Sequence, residues 1–170
     1  MAFFDFIKTA GEKLFSSKDN EAASAAVASA PDDSAAKAKA EALNRTAGDA
    51  IEAYVKSQNL AATGLTVTFD GATGVATAFG VAPDQATKEK ILLCCGNVGG
   101  VARVDDKMSV EVAQPEAKFH TVVSGDNLSR IAKQFYGDAN KYPVIFEANK
   151  PMLKHPDKIY PGQVLRIPAL

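Results

Sequence analysis

Basic residues are not in excess: 19 lysines and arginines face 20 aspartates and glutamates, a net charge of -1 with pI about 6.1. No basic stripe appears, which argues against a nucleic-acid binder. No run of like charge marks an interaction tail. Histidine is scarce, with His120 at a strand start and His155 in a loop before Pro156; neither has a cysteine or carboxylate at ligand spacing beside it. His155 reads as a surface residue, and Asp105-Asp106 as a solvated strand-edge pair rather than an acid/base couple. A phosphate-cradling glycine loop with lysine and Ser/Thr is missing, as is a nucleophile elbow, so no enzyme is expected. The two cysteines, Cys94 and Cys95, are adjacent. A disulfide between neighbours is strained, which favours reduced thiols packed near a helix end over a redox-sensing pair. No apolar run reaches the length of a membrane span. The opening Met1-Ala-Phe-Phe-Asp-Phe-Ile-Lys8 is interrupted by Asp5 and Lys8, unlike a secretory signal, so a cytoplasmic location is expected.

What is present points to an α+β fold of two small domains. At 170 residues and 46% hydrophobic content the chain can fill two modest cores. Phe3, Phe6, Ile7, Ala10 and Leu14 recur at helical spacing, predicting an amphipathic helix over residues 1–15 that docks on the neighbouring domain. Residues 16–36 are rich in alanine and serine and read as a flexible or partly helical linker. Over residues 37–113 the pattern is helix, strand, strand, helix, strand. Leu43, Ala47, Ile51 and either Tyr54 or Val55 stripe the first helix, and Leu65-Thr-Val-Thr-Phe69 alternates as a half-buried strand should. Asp70 to Gly74 is a turn into a strand over Val75–Phe79, and Pro83-Asp84 opens the second helix. The last strand of this unit has Val101, Val104, Met108, Val110 and Val112 as candidates for burial. Residues 114–118 form a polar hinge, and residues 119–170 read as strand, helix, helix, strand.

The chain centres on the stretch Lys88 to Val101. Ile91, Leu92 and Cys95 can share a buried helical face, and Gly96 stands where a left-handed cap is expected. The last carbonyls of a helix lack intrahelical partners and carry the negative end of its dipole. Gly96, Gly99 and Gly100 let the backbone bend until several carbonyls face one point, a seat for a weakly hydrated cation. The same residues also suit an ordinary helix-to-strand turn.

Val122, Gly125-Asp126-Asn127-Leu128, Ile131-Ala132, Tyr136-Gly137-Asp138, Ala148-Asn149 and Pro161-Gly162-Gln163-Val164-Leu165 closely resemble a LysM domain, with its β-α-α-β fold. Residues of about 49–112 resemble a BON domain, α-β-β-α-β. With Phe6 to Phe15 and Lys88 to Asp106 added, the arrangement resembles the small cytoplasmic bacterial potassium-binding proteins that join one BON to one LysM domain. The resemblance implies a monomeric sensor that takes K⁺, and also Rb⁺ or Cs⁺, through backbone carbonyls and changes conformation on binding. The implied donors are Ile7, Ala10, Glu12, Gly96 and Val98, with a further contribution from Gly74. LysM domains usually bind N-acetylglucosamine polymers, and the corresponding residues here are Gly125, Asp126, Asn127, Leu128, Met152, Leu153 and Ile159. That makes a peptidoglycan-binding protein the alternative. In a protein without an export signal, the LysM half is expected to pack on the BON half or on an unidentified protein partner.

Overall fold

Alternating side chains make the central hairpin, and its turn is held by one aspartate. The Asp70 carboxylate accepts from Ala72 N at 2.9 Å and from the Thr73 hydroxyl at 2.7 Å, while Gly74 takes a positive φ of 70° and donates to Asp70 O. This turn joins β2 (Thr63–Asp70) to β3 (Val75–Asp84), strands numbered in chain order after β1 (Phe3–Asp5). The computed structural model describes residues 3–6 and 11–170. Two helices, α1 (Ser17–Ser29) and α2 (Ser34–Ser57), precede the hairpin. Asp84 then caps α3 (Gln85–Gly96), its side chain accepting from Thr87 N at 2.7 Å. The helix crosses over to β4 (Arg103–Val112), which pairs in parallel with β3. The resulting sheet has the order β1-β4-β3-β2. Ile51 and Val55 of α2 and Ile91, Leu92, Cys94 and Cys95 of α3 pack on Val67, Phe69, Ala76, Ala78 and Val104 of the sheet.

The second unit pairs β5 (Lys118–Thr121) antiparallel with β6 (Val164–Ile167). Over this ribbon lie α4 (Leu128–Tyr136) and, after a 3-10 turn at Ala139–Lys141, α5 (Tyr142–Ala148). Asn127 caps the start of α4 and Gly137, at φ 75°, ends it in the left-handed conformation. Its core is Val122, Leu128, Ile131, Ala132, Ile145, Leu153, Leu165 and Ile167.

Four expectations need correction. The helix over residues 1–15 is not found among the described residues: Phe3–Asp5 is a strand on β4 and residues 11–15 are extended or turn, while the part of the expected helix at residues 1, 2 and 7–10 lies outside the described residues. A short helix is marginal in water, whereas β4 offers an edge whose backbone groups need partners. Of the two readings of the alanine-rich stretch, the helical one holds over Ser17–Ser29 (α1), and the flexible linker is the one corrected. The helix is tied down by polar contacts, because buried Asn20 donates to Asn44 Oδ1 at 3.0 Å and Gly71 N donates to the same oxygen at 3.0 Å. Asp105 and Asp106 are not solvated and not on an edge strand. The Asp106 side chain is 8% exposed and pairs with Lys88 at 2.7 Å, and Asp105 faces Lys107 at 3.3 Å. Val110 is only half-buried and Val112 is 55% exposed, since β4 runs past the helices that cover its first half.

Candidate functional site

The glycine loop after α3 is built by close approach more than by backbone contortion. Gly96 is helical and has no positive φ, so it is not the left-handed cap; Asn97 takes the cap position at φ -82°. A Cβ on Gly96 would lie 2.0 Å from the Phe6 ring, so the missing side chain is what lets Phe6 dock on the helix end. Gly100, at φ 104°, supplies the bend, and Gly11, at φ 105°, supplies another in the facing segment. A Cβ on Gly11 would lie 2.1 Å from Asn97 O.

Residues 11 and 12 run along the loop. Glu12 N donates to Asn97 O at 2.9 Å, Gly99 N donates to Glu12 O at 2.7 Å, and Glu12 and Val98 form a parallel bridge. Phe6 N donates to Ala102 O at 2.8 Å. Because Gly99 N turns to Glu12, it does not close the last helical turn. No backbone N–H among the described residues donates to the carbonyls of Cys95 or Gly96. Glu12, Val98 and Gly96 are thus neighbours around one helix C-terminus. Ile7 and Ala10 lie outside the described residues. Gly74 reaches the same end of the sheet, but its carbonyl accepts two N–H groups, Ala102 N at 2.8 Å and Arg103 N at 3.4 Å, whereas the Glu12 and Val98 carbonyls accept one each, from Gly99 N at 2.7 Å and Val101 N at 3.1 Å, and keep a second lone pair. Among the described residues no group of three or more His, Cys, Asp or Glu could hold a metal ion.

A cleft of about 240 Å³ opens beside the loop between the two units, lined by Glu12, Tyr54, Asn97, Met152 and Tyr160 among others. Burial, then the nearby Cys94, Glu12 and Tyr160, pushes the Tyr54 phenol far up. Burial likewise raises both thiols, Cys95 to about 12, so neither is a reactive thiolate at neutral pH.

The glycan set is engaged internally. The Asp126 carboxylate accepts from Val123 N at 3.0 Å and meets His120 Nε2 at 2.8 Å, a pair that spacing arguments missed because it closes across a turn. Hydrogen bonds from His120 and Val123 hold the Asp126 carboxyl below the ordinary carboxylate range. Gly125 O accepts from Arg130 Nη1 at 2.8 Å, Asn127 caps α4, and Leu128 and Leu153 are each 2% exposed. Ile159 packs on the second core, while Met152 packs on the first.

Two contacts fasten the units together. The Asn97 side chain accepts from Val164 N at 2.9 Å and donates to Val164 O at 3.0 Å. Glu89, 1% exposed, accepts from Arg166 Nε at 2.5 Å, and from Gln85 Nε2 and Ala117 N at 2.9 Å each. A buried carboxylate is tolerated only with such partners, and this one joins α3, the hinge and β6.

A BON domain family model matches residues 42–112 and a LysM domain model residues 120–168. Over 169 residues, 99% of each chain, the sequence is 45% identical to the potassium binding protein Kbp of Escherichia coli O6:H1 (strain CFT073). The chain belongs to the Kbp family. Kbp is named for binding, and neither matched domain indicates an enzyme family. Shorter similarities reach an uncharacterized protein of Deinococcus radiodurans, 49% identical over 50 residues, which are 29% of this chain and 19% of that one. The esterase Rv1288 of Mycobacterium tuberculosis (strain H37Rv) is 39% identical over 74 residues, 41% of this chain and 16% of the esterase. No helix among the described residues is long and apolar enough to cross a membrane.

Proposed function

We propose that this protein binds K⁺ through backbone carbonyls where residues 7–12 meet the end of α3, and that it acts as a cytoplasmic, monomeric potassium sensor. The observation that carries this reading is the helix C-terminus at Cys95 and Gly96, whose carbonyls receive no described backbone N–H while Glu12 is bridged to the loop at Val98. Its whole-length relative is named a potassium binding protein. The donors are the carbonyls of Gly96, Val98 and Glu12, with Ile7 and Ala10 completing the set; Gly74 is left out. Carbonyl rings without carboxylates suit a large monovalent ion that sheds its water cheaply, whereas Ca²⁺ and Mg²⁺ call for carboxylate or tightly octahedral oxygen sites. Occupancy would favour the docked leading segment, so ion binding and conformation are linked.

Melting curves in matched chloride salts test this. K⁺, Rb⁺ and Cs⁺ raise the melting temperature at equal ionic strength, and Na⁺ and Li⁺ do not. Deleting residues 2–12 abolishes the response; an unchanged K⁺ affinity in the truncated chain would overturn the assignment. Light scattering checks the monomer, and cell fractionation checks the location.

A further inference from the structure

Asn97 sits at a three-way junction. Its backbone N–H donates to Leu93 O at 2.9 Å and closes α3, and its carbonyl accepts Glu12 N at 2.9 Å, so its main chain belongs to the loop and the leading segment. Its side chain, on a residue 7% exposed, holds both backbone polar groups of Val164. An amide that accepts an N–H and donates to the C=O of the same residue imitates a neighbouring β-strand. Among the described residues β6 pairs with β5 on one side and has no strand on the other, so the asparagine stands where a strand would. Two residues along, the Asn149 side chain makes the same pair of bonds to Arg166, donating to Arg166 O at 2.8 Å and accepting Arg166 N at 2.8 Å. The unpaired edge of β6 is therefore closed by two asparagines, one from its own domain and one from the BON loop.

We propose that Asn97 is the residue that couples the ion site to LysM docking: its main chain shares the loop of the cation and its side chain grips the β6 edge. The proposal rests on the K⁺ reading above and adds how occupancy is transmitted. A cation gathered by the Gly96 and Val98 carbonyls orders the residue between them. An ordered Asn97 presents its amide to Val164 at a fixed angle, and the LysM unit is held. By reciprocity, LysM docking then raises K⁺ affinity by the same factor. Glu89–Arg166 lies two helical turns away from the loop and serves as a fixed anchor, not as the responsive contact.

Amide hydrogen exchange on the full chain, followed residue by residue by NMR in matched KCl and NaCl, tests the coupling. The Val164 amide, bonded to Asn97, exchanges about 10-fold more slowly in KCl, the scale two side-chain hydrogen bonds support. The Arg166 amide, bonded to Asn149 on the same edge, shows no such difference between salts and reports that the LysM unit is folded. In Asn97→Ala, which keeps the backbone bonds to Leu93 and Glu12, Val164 exchanges fast in both salts and K⁺ affinity by calorimetry falls by the same factor. If calorimetry detects K⁺ while wild-type Val164 exchanges equally in both salts, the coupling is wrong and the ion site stands. If Asn97→Ala keeps the salt-dependent slowing of Val164, the assignment to Asn97 is wrong. If no heat of K⁺ binding appears in the wild type, both readings fall together.

Discussion

Replacing Gly96 by alanine should change the sign of its effect according to whether Phe6 is present. In the native chain the new methyl would begin 2.0 to 2.2 Å from three atoms of the Phe6 ring. Ordinary contact begins near 3.4 Å, so the ring must withdraw by about 1.4 Å. Phe6 is not free to do so, because its N–H is bound to Ala102 O at 2.8 Å and its ring packs on the first core. Overpacking of this kind costs about 1–3 kcal/mol. Against it stands the helix preference of alanine over glycine, about 0.8–1.0 kcal/mol. The strain is the larger effect, so Gly96→Ala destabilises the protein by up to about 2 kcal/mol.

With Phe6→Ala the obstacle is gone. That change alone removes a half-buried ring and costs about 2 kcal/mol, below the range for a fully buried phenylalanine. In its background Gly96→Ala should stabilise by up to about 1 kcal/mol, leaving the helix preference unopposed. Urea unfolding of the four proteins in KCl gives the cycle directly. A Gly96→Ala effect of the same sign and size in both backgrounds would show that Phe6 does not dock on the helix end, and would remove the leading segment from the ion site. The cycle is useful because a left-handed cap at Gly96, the other reason for a glycine here, predicts destabilisation with or without Phe6.

Breaking the interdomain ion pair should be severe in one direction and mild in the other. Arg166→Met leaves Glu89 buried without its counter-charge and costs about 3 kcal/mol in urea midpoint terms, whereas adding Glu89→Gln recovers most of it; a double variant no better than the single one would count against a buried pair. Asp126→Asn should matter at neutral pH and not in acid. The folded carboxyl titrates below its unfolded value of about 3.9, so its contribution is complete above that pH and disappears as pH falls through the folded value. Wild type and variant should therefore converge between pH 5 and pH 2, and a constant gap would mean the His120 and Val123 bonds are not made. Finally, Cys94 and Cys95 should resist Ellman's reagent in the folded protein and react together once urea unfolds it, since both are fully buried and their thiols are held in the protonated form; rapid reaction of the native protein would contradict the packing.

What could be read from the chain in advance divides along the distance between interacting residues. The alternation Leu65 to Phe69, the turn at Asp70 to Gly74 and the start of α3 after Pro83-Asp84 are written within a few residues, and each is found. The LysM unit was legible through its motif residues, and the structure shows what two of them do: Asn127 caps α4 and Gly137 ends it in the left-handed conformation. β1 was not, because the apolar run at residues 3–6 fits a helix or a strand equally well, and what decides is β4, a hundred residues on. α1 was left between a flexible and a helical reading because large apolar residues were sought, whereas its attachment is the Asn20–Asn44–Gly71 network, with Ala23 of α1 and Ala40 of α2 buried as well. Gly96 carries the sharper lesson. Freedom of φ and absence of a side chain are separate reasons for glycine, and a sequence records only the residue. Gly100 needs the first and Gly96 the second, and the second becomes visible only when Phe6 is seen against it. Asn97 stood in the same loop and drew no notice, since an asparagine after a helix is an ordinary cap. Its partner is 67 positions away on a strand edge, and no spacing rule reaches that far. A residue that helps join the two halves was therefore one that local reasoning had little cause to choose.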